Sequence, residues 1–290
     1  MFVIAGANGH VGFAAAHALL KAKQKVRVIV HSAKRRGHWE EEGAEVVVGS
    51  LDDANFLSQA LKGAAGFFAL TPPNLAVSNY VAWQHQVADA TANAVKASGV
   101  SHVVLLSSVG AQHPRGTGPI AGLHYFENAL RKTGVRLTAV RACGFQENIA
   151  GAIAAAENAG IYPNFTSSDD RPVPMVATRD IGEQVAHELM NPPVGSVTVS
   201  LEGPSYTERD VAKKIGEALG VKDLPIVRIA PEVHVKTFMD AGMPHNFAEL
   251  VAEMLAAEEK GLLSREGDRL ALGQTPIEDV IHAMTATLHH

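Results

Sequence analysis

The chain has 290 residues, 47% hydrophobic and 19% charged, with a formal net charge of -5. That length buries one large core, or one core with a smaller lobe. The acidic balance, with no basic stretch longer than Lys34-Arg35-Arg36, argues against a nucleic-acid surface as its main business. No apolar run approaches the ~20 residues of a membrane helix. One cysteine, Cys143, leaves no internal disulfide and fits a reducing cytoplasm.

The apolar run Phe2-Val3-Ile4-Ala5 predicts a first strand beginning at residue 2, which leaves no room for a signal peptide. Gly6-Ala7-Asn8-Gly9-His10-Val11-Gly12 follows at once and leads into an alanine-rich helix over residues 12–21. Strand, glycine-rich turn and helix in that order predict a phosphate cradle. Glycine lets the backbone approach a pyrophosphate, and the helix N-terminus offers unpaired N–H groups. Gly6, Asn8, Gly9, His10, Val11 and Gly12 are therefore expected at a dinucleotide; without a ligand the same turn would only pack helix on strand.

Residues 26–30 predict the second strand and 44–48 the third, and Asp53, a good N-cap, starts a helix to residue 61. Residues 66–70 form the fourth strand, stopped by Thr71-Pro72-Pro73, and a long helix runs over about 77–98. Residues 102–107 and 137–141 predict the fifth and sixth strands, with a helix holding 125–132 between them. The β-branched runs are continuous, not alternating, so these strands are buried on both faces. The fold class is α/β, a doubly wound parallel sheet with helices on either side.

After about residue 150 the rhythm changes. Residues 197–201 and 225–229 predict strands, separated by a helix over 207–219 whose start, Thr207-x-x-Asp210, matches a capping box. Helices over about 231–241 and 247–260 carry an apolar face. The reading is a nucleotide-binding domain over 1–150, to which 176–200 returns, and a smaller α/β substrate-binding lobe over 151–290 against the carboxyl ends of the strands. Fourteen histidines raise the question of a metal, but none forms a compact ligand set in sequence, and no metal is expected. His289-His290 read equally as a natural terminus or a tag remnant.

In an NAD-preferring site an acidic residue closes the second strand and holds the ribose 2′-hydroxyl. Here His31 stands there, followed by Ser32, Lys34, Arg35 and Arg36. A 2′-phosphate would meet donors and positive charge at His31, Ser32 and Arg35. Charged hydrogen bonds contribute about 1.5 to 3 kcal/mol each, so two of them favour NADP(H) roughly a hundredfold. NADP(H) is the preferred cofactor and NAD(H) remains possible; the bland reading is that Lys34 to Arg36 cap an exposed turn. Leu51 and Asp52 after the third strand would flank the adenine, and Leu70, Thr71 and Pro72 after the fourth would line the passage toward the nicotinamide.

The fifth strand ends in Ser107-Ser108-Val109, where a short-chain dehydrogenase carries its serine, yet Tyr125 is followed four places later by Ala129 and not by lysine. The usual proton-donating pair is absent. Carbonyl reduction leaves an alkoxide that needs a positioned acid.

The glycine-rich string, Gly49-Ser50-Leu51-Asp52-Asp53, residues 67–73, Ser107-Ser108-Val109-Gly110, His124 with Glu127, residues 141–148 and Ala177-Thr178-Arg179-Asp180-Ile181-Gly182 together resemble the NmrA-like family of atypical short-chain dehydrogenases. The resemblance covers residue 2 to about 285. It implies a Rossmann-type domain and either an NADPH-dependent reductase of quinones or triphenylmethane dyes, or a regulator that binds dinucleotides without reducing anything. His31 stands where many members have arginine, Ser50 where aspartate is usual, and His124 lies one residue nearer Glu127 than in the quinone-reductase pattern.

Ser107, Ser108, Val109, Gly144 and Phe145 are then expected at the cofactor, and Pro72, His124, Phe145, Asn148 and Tyr162 at the substrate. His124 is the one candidate catalytic group, as a proton or hydrogen-bond donor, with a plain helix-start role as the alternative. Phe145 and Tyr162 are candidate ring-stacking walls, with core packing as the other reading of Phe145. Arg141 and Glu147 read as structural pairs, Asp180 as a helix cap, and Cys143 as a buried filler. Quinones and cationic dyes accept hydride into delocalised systems that ask mainly for proximity and orientation. The expected partner is thus a small aromatic or quinone-like acceptor, with no nucleic acid and no membrane. The chain is expected to be a monomer or homodimer.

Overall fold

A computed structural model describes residues 1–286; His289-His290 lie outside them. Eleven α-helices and thirteen strands make up the described chain. β1 (Phe2–Ala5), α1 (His10–Lys21), β2 (Val26–Val30), α2 (Arg36–Glu41), β3 (Glu45–Val48), α3 (Ala54–Ala60) and β4 (Gly66–Ala69) come first. α4 (Tyr80–Ser98), β5 (His102–Ser108), α5 (Ile120–Arg131), β6 (Arg136–Ala142), β7 (Gly144–Phe145), α6 (Ala150–Ala159), β8 (Tyr162–Asn164) and β9 (Val173–Val176) follow. α7 (Thr178–Met190), β10 (Val197–Glu202), β11 (Ser205–Tyr206), α8 (Glu208–Leu219), β12 (Ile226–Arg228), α9 (His234–Asp240), α10 (His245–Glu259), β13 (Arg269–Leu272) and α11 (Ile277–Ala286) complete it.

The eight-stranded main sheet has the order β13-β10-β6-β5-β4-β1-β2-β3, and its pairings are parallel. The chain runs outward from β1 to β3, then returns to place β4 on the other side of β1. That reversal opens a crevice at the carboxyl ends of β1 and β4, where this class of sheet binds ligands. One buried cluster, with Leu19, Trp39, Ile181 and Val185, fills the face under α1, α2 and α7. A second, with Leu57, Val87, Phe126 and Leu130, fills the face under α3, α4 and α5. Burial on both faces is what the continuous apolar strands require.

α7 lies within 176–200 and β10 begins there but runs on to Glu202, pairing with β6. β13 also joins the main sheet, beside β10, although no strand is predicted over 269–272. The reason is local: Arg269, Leu270 and Leu272 are exposed at a sheet edge, so the segment lacks the buried β-branched signature. A third buried cluster, including Ile153, Tyr162, Ile215 and Ile281, is built from α6, β8, α8 and α11. The capping box of Thr207 and Asp210 is present in both halves, and Asp53 caps α3 through the N–H groups of Asn55 and Phe56.

Candidate functional site

The crevice is built from the ends of β1, β2, β3, β4, β5 and β6. Gly6 turns the chain at a φ of 63°, a left-handed conformation that favours glycine, and its carbonyl accepts from the Gly9 N–H at 2.9 Å. A Cβ on Gly6 would lie 3.0 Å from a Leu70 methyl, so the two residues face each other across the β1–β4 opening. Gly12 sits where a Cβ would fall 2.4 Å from the Gly6 carbonyl oxygen and 2.8 Å from that of Ala5; only glycine lets the helix close on the strand. α1 starts two residues earlier than predicted, with Gly9 as its N-cap, no capping side chain and no acidic residue in its first turn. Its leading N–H groups and dipole are therefore open to an anion.

Gly9 and His10 are exposed at this turn, while Val11 and Gly12 are buried behind it. Asn8 accepts a hydrogen bond from the Trp39 indole N–H at 3.1 Å, which ties α2 to the loop. A side chain on Gly9 would meet only the Gly6 carbonyl oxygen, at 3.4 Å, so the space above the loop is open. At the end of β4 the Thr71 hydroxyl is buried without a hydrogen-bond partner among the described residues, an unusual position that a ligand would relieve. Open donors, an open loop and an orphaned hydroxyl along one crevice fit a bound dinucleotide.

After β2, His31 is exposed and Ser32 half-buried, and a single 3-10 turn, Ala33–Arg35, presents Lys34 and Arg35 to solvent. Arg36 pairs with Glu40 at 2.7 Å, whereas Lys34 and Arg35 have no carboxylate partner among the described residues. Leu51 is 9% exposed and packs into the second core cluster. Asp52 is half-buried and accepts from the Gln86 amide at 3.1 Å, a link from α4 with no sequence signature.

The deep end differs from expectation at several positions. Ser107 is 2% exposed, and its hydroxyl donates to Glu127 at 2.6 Å. Glu127 in turn receives the Arg141 guanidinium through two bonds of 2.9 Å. Arg141 reaches on to the Glu266 carbonyl at 3.2 Å, so the Ser107 hydroxyl belongs to a buried structural pair and not to an open face. His124 hydrogen-bonds the Ala111 carbonyl through Nδ1 at 2.9 Å and the Asn128 side chain through Nε2 at 2.9 Å. A carbonyl only accepts, so Nδ1 carries the proton, and Nε2 accepts from the Asn128 amide. Both nitrogens are engaged, and His124 lines an outer groove of about 540 Å³ with Tyr125 and Asn128. Tyr125 donates to Asp89 at 2.9 Å and stacks on His85 at 3.8 Å.

Tyr162, expected as a substrate wall, is 5% exposed in the third buried cluster and donates to Glu208. Burial raises the pKa of the phenol and that of the Glu208 carboxyl. Its place on β8, between α6 and α8, turns it away from solvent. Phe145 is half-buried against the first core cluster, Asn148 and Gly144 are exposed, and Ser108 and Val109 are half-buried at the end of β5. Cys143 is buried, and burial pushes its thiol up to about 11, as suits a filler. Glu147 accepts from the Thr178 N–H and hydroxyl. Asp180 does not cap α7: it accepts from the Thr275 N–H at 2.8 Å and anchors the segment before α11. Above Pro72, the Trp83 indole donates to its carbonyl at 3.2 Å, and Asn246 of α10 donates to the Val77 carbonyl at 3.0 Å. The chain after β4 is thereby pinned between α4 and α10.

A parallel sheet with its switch point at a glycine-rich turn and an uncapped helix defines a doubly wound dinucleotide-binding fold. The chain belongs to the NmrA-like family, whose pattern it matches over residues 1–281. Among characterised relatives, an NAD(P)H azoreductase from Xenophilus azovorans is 24% identical over 259 residues, covering 88% of this chain and 86% of that protein. A (4-alkanoyl-5-oxo-2,5-dihydrofuran-3-yl)methyl phosphate reductase from Streptomyces griseus is 28% identical, covering 76% of this chain and 74% of that protein. Among solved structures, an NADPH-dependent quinone oxidoreductase from Escherichia coli, complexed with NADPH, superposes at a TM-score of 0.82 with 18% identity, each chain covered completely (100%). The triphenylmethane reductase of Citrobacter sp., complexed with NADP(H), gives 0.79 with 20% identity, covering 98% of this chain and 100% of that one.

Proposed function

We propose that this chain is an NADPH-dependent oxidoreductase that passes hydride to a quinone-like or other delocalised acceptor. The observation that carries the reading is a crevice with an open dinucleotide cradle in which the three candidate proton donors, Ser107, Tyr125 and His124, are each engaged by other groups. Ser107 is committed to Glu127, Tyr125 to Asp89, and His124 to Ala111 and Asn128. NADPH bound here would supply hydride; the chain's part is to hold phosphates on the N-terminus of α1, read the 2′-phosphate at His31, Ser32 and Arg35, and orient the acceptor. Pro72, Phe145 and Asn148 are the positions proposed to border that acceptor. A delocalised anion takes its proton from water, so the absence of a positioned acid is no obstacle. The azoreductase relative and the quinone and dye reductase neighbours support this class.

The test is NADPH oxidation followed at 340 nm against a panel of quinones, an azo dye and a cationic triarylmethane dye, with NADPH and NADH titrated by fluorescence in parallel. Saturable turnover that prefers NADPH is expected. Tight nucleotide binding with no oxidation by any acceptor would replace the reductase with a non-catalytic nucleotide sensor.

A further inference from the structure

Away from the crevice, the packing of α2 on α1 gathers three side chains with metal-ligating atoms: His17 of α1, His38 of α2, and Glu42, which ends α2. His38 and Glu42 are four residues apart and so share one helix face. One ligating atom from each of the three lies within 4.8 Å of the others. The two rings sit 5.9 Å apart between centroids, and His17 Nδ1 stands 3.5 Å from a Glu42 oxygen. His17 Nε2 is buried with no hydrogen-bond partner among the described residues. A buried ring nitrogen left unbonded is costly. Phe13 packs on both imidazoles, at 4.3 Å from His17 and 5.9 Å from His38, and holds them together.

We infer that His17, His38 and Glu42 form a binding site for a divalent transition-metal ion. Two imidazoles and a carboxylate are the donor set of zinc, nickel or copper, not of magnesium or calcium, which take oxygen ligands. Three protein ligands leave the remaining position to water. The ion would staple α2 to α1. The site is separate from the nucleotide crevice and does not depend on the reductase reading. It escapes a sequence scan because His17 lies 21 residues before His38 and joins it only through the packing of two helices.

Trp39 supplies the reporter, since its ring is 5.2 Å from each histidine ring. Copper(II) is added to the Trp83→Phe protein, in which Trp39 is the remaining tryptophan, and zinc affinity is measured by calorimetry on the chain with both tryptophans. Saturable quenching, reversed by EDTA, and one zinc-binding event are expected to weaken more than about tenfold in each of His38→Ala and Glu42→Gln. Both substituted residues are exposed, and equal melting temperatures without metal confirm that the variants fold. Unchanged zinc affinity in the two variants would assign the binding to other histidines and overturn the site, as would the absence of saturable binding by both methods.

Discussion

Glu127 shows how a single side chain can settle what a neighbouring residue does. It is 3% exposed and accepts from Ser107 and from Nε and Nη2 of Arg141, so its charge is fully partnered inside the protein. Truncating one member of such a pair strands the other charge. Glu127→Ala should therefore lower unfolding free energy by about 3 to 5 kcal/mol, measured by urea denaturation, and Glu127→Gln by less. A second residue-scale consequence concerns pH. His102 is 1% exposed, bonds Thr138 through Nε2 at 3.0 Å, and is held near a pKa of about 4, first by burial and then by Arg136. A histidine depressed from 6.5 to about 4 binds fewer protons folded than unfolded. Its contribution to stability is thus full above pH 6.5 and lost as pH falls through about 4. Melting curves should show wild type losing stability over that window faster than His102→Gln; parallel losses would refute the assignment.

At the scale of elements, the strand–turn–helix unit at the N-terminus was legible because all its determinants are local. Its two later glycines nevertheless do different work. Gly12 has no room for a methyl beside the Gly6 carbonyl, so Gly12→Ala should cost about 1 to 3 kcal/mol and weaken nucleotide binding together. Gly9 has an extended backbone, φ -92° and ψ 163°, and open space above it. Gly9→Val should keep the wild-type melting temperature and lose NADPH binding, read by thermal shift and by nucleotide fluorescence. A variant that binds NADPH normally would remove the loop from the site. The less legible elements are those whose signal lies in partners distant along the chain. β13 has the composition of an exposed edge, Asp180 finds Thr275 ninety-five residues on, and Tyr162 looks like a free aromatic until α6 and α8 enclose it. The same holds for Ser107, where the residue pattern marks a catalytic place and the fold hands the hydroxyl to Glu127.

The whole molecule turns on one topological fact: β4 returns beside β1, and the glycine-rich turn and Leu70-Thr71-Pro72, both expected at the nucleotide, follow the two strands flanking that reversal. On the proposed reading, the choice of nucleotide falls one strand further out, where β2 ends at Val30 and His31 leads into the turn with Lys34 and Arg35. Among the described residues these two cations are not spent on carboxylates, unlike Arg36, which Glu40 neutralises. Exchanging Lys34 and Arg35 for alanine should reduce the preference for NADPH over NADH by roughly tenfold for each charged hydrogen bond removed, leaving NADH affinity nearly constant. Adding His31→Asp to that pair places a carboxylate where a ribose 2′-hydroxyl would be held and a 2′-phosphate repelled, so the triple variant should prefer NADH. Dissociation constants for both nucleotides by fluorescence titration decide it. A triple variant that still selects NADPH would mean the 2′-phosphate is read elsewhere along the crevice.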